Sequence, residues 1–174
     1  MVSRKSLQPL DDNAPEVMTT SSLEEYLVRQ LVGDIVRMMI EIGIICIDFA
    51  DVQAIMCDGR SDACLGGGIA NGERPARDAA RKALQSLWQQ QVDPAQSAAL
   101  LVWITGSTNI TMDDFDAAST VIHEAIHEEA DIIVGLLIDD ALAENIRVSI
   151  LAKGGGVASP KEKTRLHSSF FKEI

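Results

Sequence analysis

Between Leu27 and Ile42 the chain carries a helix-period pattern with more apolar surface than one neighbour can cover. Leu27, Val28, Leu31, Val32, Ile35, Val36, Met38, Met39, Ile40 and Ile42 span an arc of roughly 220° at the helical period. Gln30, Gly33, Asp34, Arg37 and Glu41 form the narrow polar stripe that remains. A helix lying on a single domain needs an apolar stripe of only about 100° or a little more. This helix must therefore be covered on two sides. The expected cover is a second copy of the chain, which makes the protein a homo-oligomer with Leu27, Leu31, Ile35, Met38, Met39 and Ile42 at the interface. The alternative is an N-terminal arm or C-terminal tail folded over the same face.

The flanks of this helix set the domain organisation. At 174 residues the chain holds one domain plus tails. Residues 1–20 are polar, contain Pro9 and Pro15, show no period and read as a disordered arm. The long apolar helix fills 21–42, opening at Ser21-Ser22 with Glu24 and Glu25 placed for a capping box. An α+β domain occupies 43–153. Gly154-Gly155-Gly156 then breaks the structure, and 154–174 read as a flexible tail. That tail is basic (Lys161, Lys163, Arg165, Lys172) and ends near Phe170-Phe171, the pattern of a short docking peptide.

Charge narrows the partners. A net charge of −11 repels nucleic acid and anionic membrane alike, so neither is expected as a partner. No apolar run reaches the roughly 20 residues that cross a bilayer, and no signal peptide opens the chain. The 3 cysteines, Cys46, Cys57 and Cys64, lack C-x-x-C spacing and read as reduced thiols of a cytoplasmic protein. No cofactor is implied.

Within 43–153, helices and strands alternate. A helix over 51–58 precedes a Gly-rich strand near 63–70. Pro75 suits the first turn of a helix running to about Gln90. Ala99-Leu-Leu-Val-Trp-Ile104 is an apolar strand bounded by Gly106. Thr111 and Asp114 are spaced as a capping box for a helix whose face is Phe115, Ala118, Ile122 and Ile126. Ile132 to Ile138 reads as a buried strand. Asn145 to Ala152 reads as its antiparallel neighbour across a short turn. The expected fold is an α+β two-layer sandwich, a four-stranded mixed sheet with helices on one face, preceded by the long apolar helix.

The run Gly43-Ile-Ile-Cys46-Ile-Asp48-Phe-Ala-Asp51 closes the long helix. Ile45, Ile47 and Phe49 alternate with Cys46, Asp48 and Ala50, so the run reads as a short extended loop leading into a helix near Asp51. Asp48 and Asp51 then lie at that helix's mouth, where carboxylates cap backbone N–H groups and the dipole favours negative charge. The same pair can also face a water or a metal-bound phosphate. The run resembles the Gly-x-x-Asn-x-Asp-x-x-Asp loop of the tubulin/FtsZ family, matching at Gly43, Asp48 and Asp51 and departing at Cys46, where the family has Asn.

The resemblance continues along the chain. Ile69-Ala-Asn-Gly-Glu73 with Ala79-Ala80, Leu101-Val-Trp-Ile-Thr-Gly106 with Met112-Asp-Asp-Phe115, Ile133-Val-Gly135 and Ile146-Arg-Val-Ser-Ile150 are similar, in order and spacing, to successive elements of that family's C-terminal domain. It implies that helix 21–42 stands for the central helix joining the family's two domains. It also implies that Asp48 and Asp51 act only in trans, on the nucleotide of another subunit, polarising the attacking water. The partner so implied is an FtsZ-type filament subunit.

The family's GTPase domain would precede the helix with a Gly-rich phosphate cradle. Residues 1–20 contain none, Gly66-Gly-Gly68 lies inside a strand, and no G-x-x-x-x-G-K-[ST] occurs. The expectation is a module that does not bind GTP by itself and is not an enzyme, one that caps or modulates FtsZ-type filaments in cell division. The alternative is a homo-oligomeric module of the same fold without a filament role.

His123-Glu124-Ala-Ile-His127 matches H-E-x-x-H, the pattern of a zinc hydrolase helix with two imidazoles on one face. Glu128 and Glu129 follow where such a helix continues apolar, and no third-ligand extension exists. His123 and His127 are therefore weak metal candidates on a charged helix flank.

Overall fold

The structure, a computed structural model, describes residues 29, 33, 37, 44, 45, 47, 48, 50, 52, 53 and 63–154. Over 63–154, four strands and two α-helices alternate among the described residues: β1 (Ala63–Ala70), α1 (Pro75–Gln89), β2 (Ala99–Gly106), α2 (Met112–His123), β3 (Asp131–Ile138) and β4 (Ile146–Lys153). Short 3₁₀ turns lie at Pro94–Gln96 and Asp140–Leu142. The strands form one sheet in the order β1-β4-β2-β3. β4 is antiparallel to both β1 and β2, and β2 is parallel to β3. This is the α+β mixed sheet expected from the sequence.

Strand order is where the expectation fails. β4 is not the neighbour of β3; it lies between β1 and β2, and β2 separates it from β3. The reason lies in burial. All eight positions of β4 are buried, which suits a central strand covered on both faces. β3 begins at exposed Asp131 and is half-buried at Ile132, Ile133 and Val134, which suits an edge. The connection from Asp139 to Asn145 crosses β2, and the Asp139 amide donates to the Gly106 carbonyl at the end of that strand (2.8 Å).

α1 and α2 cover one face of the sheet. Ala79, Ala83, Leu84, Leu87, Ala118 and Ile122 pack there against Leu100, Val102, Ile104, Val148 and Ile150. The other face carries a second cluster in which Ile47 and Val52 meet Leu101, Trp103, Leu137 and Leu151.

α1 approaches β1 more closely than side chains allow. A Cβ built on Gly68 would fall 2.2 Å from the Ala79 carbonyl oxygen and 2.6 Å from the Ala83 nitrogen. One on Gly66 would fall 2.6 Å from the Ala83 carbonyl oxygen. The Gly-rich run is thus a seat for a helix whose inner face is also small. From this seat Lys82 Nζ donates to the Ile69 carbonyl (2.9 Å) and Gln90 Nε2 to the Leu65 carbonyl (2.7 Å). Two carbonyls of an edge strand are thereby covered.

The ends of the helices are set locally. Pro75 opens α1 with Asp78 in the first turn, as its missing N–H and the dipole favour. α1 closes in a Schellman arrangement: the Val92 amide donates to Leu87 and the Gln91 amide to Trp88, both at 3.0 Å. Gln91 takes φ 68°, a conformation that favours glycine. Thr111 and Asp114 form the expected capping box reciprocally. α2 ends at His123, so Ile126 packs against the core from beyond the helix.

Ala143 is the second non-glycine with positive φ. At φ 51°, ψ −110° it holds the first central position of a type II′ turn closed by the Asn145 amide on the Leu142 carbonyl (2.8 Å).

Two predictions follow from this backbone. Gly68→Ala will force α1 off β1 and lower stability by about 3 kcal/mol, roughly 10 °C in melting temperature; an unchanged melting curve would refute the close contact. Ala143→Gly relieves the left-handed strain and will raise the urea midpoint, a gain of about 0.5–1 kcal/mol. A lowered midpoint would show that the turn is not strained.

Candidate functional site

β3 is an edge strand, and its outer side receives the segment that precedes the sheet in sequence. Ile45 forms an isolated antiparallel bridge with Leu136. The Leu136 amide donates to the Ile45 carbonyl at 3.0 Å, and the Ile45 amide donates to Leu136 at 3.5 Å. Next to this bridge, Gly135 leaves a notch. A Cβ at Gly135 would lie 2.7 Å from both Cγ1 and Cδ1 of Ile47 and 3.3 Å from the Ile45 carbonyl oxygen. Ile47 fills that notch and is buried, as is Val52 further along.

Alternation then exposes Asp48, one residue beyond Ile47. Ala50, Val52 and Gln53 are helical. Asp48 is the N-cap of that helix: its carbonyl accepts from the Val52 amide (3.2 Å) and its Oδ1 from the Ala50 amide (3.3 Å). The result is a carboxylate held at a helix mouth, facing solvent, on a segment fixed to a rigid sheet. Chemically it can accept a hydrogen bond from a water or attract a cation.

Of the other residues singled out in the sequence, Gly43, Cys46 and Asp51 lie outside the described residues. So do Leu27, Leu31, Ile35, Met38, Met39 and Ile42, together with the 1–20 arm, the 155–174 stretch, Cys57 and most of the helix expected over 51–58. Arg29, Gly33 and Arg37 are helical, in line with a helix there. Cys64, half-buried on β1, is not part of a disulfide.

His123 and His127 do not share a helix face. His123 is the last residue of α2, and His127 sits in the turn beyond, its Nδ1 accepting from the Glu129 amide (3.2 Å). The H-E-x-x-H geometry is therefore absent. Among the described residues no group of three or more His, Cys, Asp or Glu gathers to hold a metal, and no helix is long and apolar enough to cross a membrane.

Two determinants were not foreseen from the sequence. Gly135 interrupts a run of branched residues, and that interruption was its signal. Arg37, assigned to a solvent stripe, instead pairs with Asp139 at the end of β3; nothing in local spacing marks a contact so distant in sequence.

Known proteins share this arrangement. The model of the FtsZ family, C-terminal domain, matches residues 61–156. The cell division protein FtsZ 2 of Rhizobium meliloti (strain 1021) is 36% identical over 123 residues, which is 71% of this chain and 35% of that protein. The chain thus spans about a third of that relative's length. The FtsZ of M. jannaschii, in an empty dimer, has the same fold over 80% of this chain and 41% of its own, with a TM-score of 0.69 and 26% identity. CetZ from Methanosaeta thermophila shares the fold at 18% identity and a TM-score of 0.53, over 82% of this chain and 40% of its own. With that domain matched over more than half of this chain and the sheet and helices arranged alike, the chain belongs to the FtsZ family through that family's C-terminal domain.

Proposed function

We propose that this chain is an assembly module of cell division that docks on FtsZ-type filaments through the segment carrying Asp48 and caps or modulates them. The observation that supports this reading is the mounting of that segment. Ile45 is bridged to Leu136, Ile47 sits in the Gly135 notch, and Asp48 is left exposed at a helix mouth. A surface ordered before contact loses little freedom on binding. On this reading Asp48, with Asp51, approaches the nucleotide of a neighbouring subunit. On this reading the chain contributes acids to a partner's nucleotide site and is not itself the enzyme.

Capping without activation is the form proposed. Positioning a water for attack needs paired donors and acceptors around it. At the family's Asn position this chain has Cys46, and a thiol is only a weak donor and weak acceptor. The module works in the cytoplasm, beside the filament it modifies.

Mixing the chain with an FtsZ and GTP tests the proposal. Substoichiometric chain is expected to reduce the polymer pelleted, while phosphate release per polymerised subunit stays constant. Gly135→Val will displace Ile47 and abolish the effect. Unchanged pelleting and unchanged phosphate release would reject the filament role and favour the homo-oligomeric module, which sedimentation would then reveal.

A further inference from the structure

Asp139 follows directly on β3, and each of its polar groups has a separate task. Its backbone amide donates to the Gly106 carbonyl (2.8 Å), tying the residue to the end of β2. Its Oδ1 accepts from the Ala141 amide (3.2 Å), capping the 3₁₀ turn that starts the crossover to β4. Its Oδ2 pairs with Arg37 Nη1. The carboxylate is only 12% exposed, against 39% for the Arg37 side chain. The acceptor is thus fixed by its own domain and largely out of water in the pair, and the guanidinium comes to it from an earlier helix.

β3 therefore holds the preceding chain at two places. Arg37 is fastened at Asp139, and Ile45 and Ile47 are fastened at Leu136 and Gly135. Three residues of strand separate Asp139 from Leu136, about 10 Å. One attachment would act as a pivot, and the chain could swing about the bridge. Two attachments on one strand fix a direction. Asp48 is the residue next to Ile47, and it starts a helix, so its direction follows theirs.

We propose that Arg37 is a positioning residue. Its ion pair with Asp139 sets the angle at which the chain enters the Ile45–Asp48 segment and so sets how Asp48 is presented. An exposed ion pair would do little. This one is charge-assisted, with a carboxylate mostly out of water, and such bonds are among the stronger ones. The geometric part stands without the filament reading; the consequence for a partner rests on it.

Amide exchange by NMR on the full chain tests the geometry. The Leu136 amide, bonded to Ile45, and the Val52 amide, bonded to Asp48, report the segment. Val102 and Val148, in the centre of the sheet, are the controls. Arg37→Gln is expected to speed exchange at Leu136 and Val52 about fivefold to tenfold, with the controls unchanged. Asp139→Asn keeps the Oδ1 cap and removes the pair, so it will give the same increase. The double variant will add nothing further, and Arg37→Lys will recover part of the protection.

Unchanged rates at Leu136 and Val52, additive effects in the double variant, or an equal rise at Val102 and Val148 would each overturn the assignment. With FtsZ and GTP, Arg37→Gln is expected to weaken capping. If the unaltered chain has no effect on pelleting while the exchange pattern holds, the filament reading fails and the positioning role stands.

Discussion

Contact between the backbones of α1 and β1 governs the rest of this domain. Gly68 faces the Ala79 carbonyl and the Ala83 nitrogen, and Gly66 faces the Ala83 carbonyl, with no room for a methyl group between them. At these two positions no side chain of β1 stands between helix and strand, so the α1 backbone and the Leu87 and Lys82 side chains make dispersion contacts with the strand backbone itself. Because α1 sits this close, Leu84 and Leu87 reach the sheet interior, and Lys82 and Gln90 reach the carbonyls of the edge strand. A strand rich in glycine has little intrinsic preference for a sheet. What keeps β1 in place is the helix above it and β4 beside it.

The segment with Asp48 depends on a second glycine contact at the opposite edge. Gly135 opens the notch for Ile47, and the adjacent Leu136 takes the single bridge to Ile45. Both sheet edges are thus managed by close approach to glycine. On β1 the approaching element is a helix that covers the edge. On β3 it is a chain that leaves the edge with a carboxylate exposed.

Elements whose limits are set locally were legible in the sequence. Pro75, the Thr111–Asp114 box and the turn at Gly106 each act within a few residues, and the elements they bound lie where they were expected. The alternation that leaves Asp48 exposed and Ile47 buried was legible for the same reason. Strand order was not. Ile146 to Lys153 alternates with Arg147, Ser149 and Lys153, a pattern of a half-solvated strand, yet all these residues are buried. They share the face of the second cluster, where Ile47 and Val52 from far earlier in the chain lie with Leu101, Trp103 and Leu137. Arg37 with Asp139 is the same case at the level of one ion pair. The helix expected to carry both His123 and His127 was misjudged for the opposite reason: local spacing suggested one helix, while α2 stops at the first histidine.

The cap at Asp48 also bears on what its segment can do. Its Oδ1 is engaged with the Ala50 amide and its carbonyl with the Val52 amide. These bonds fix where the carboxylate points and draw part of its charge into the helix mouth. A group held in this way is well suited to meeting a surface in one orientation. It is less suited to moving a proton, which requires an oxygen aimed at the reacting water in the complex. Cys46 withdraws the one side chain at which the family's pattern would supply a paired amide donor and acceptor. On the function proposed above, rigid mounting with weakened water handling favours binding a filament end over driving hydrolysis there.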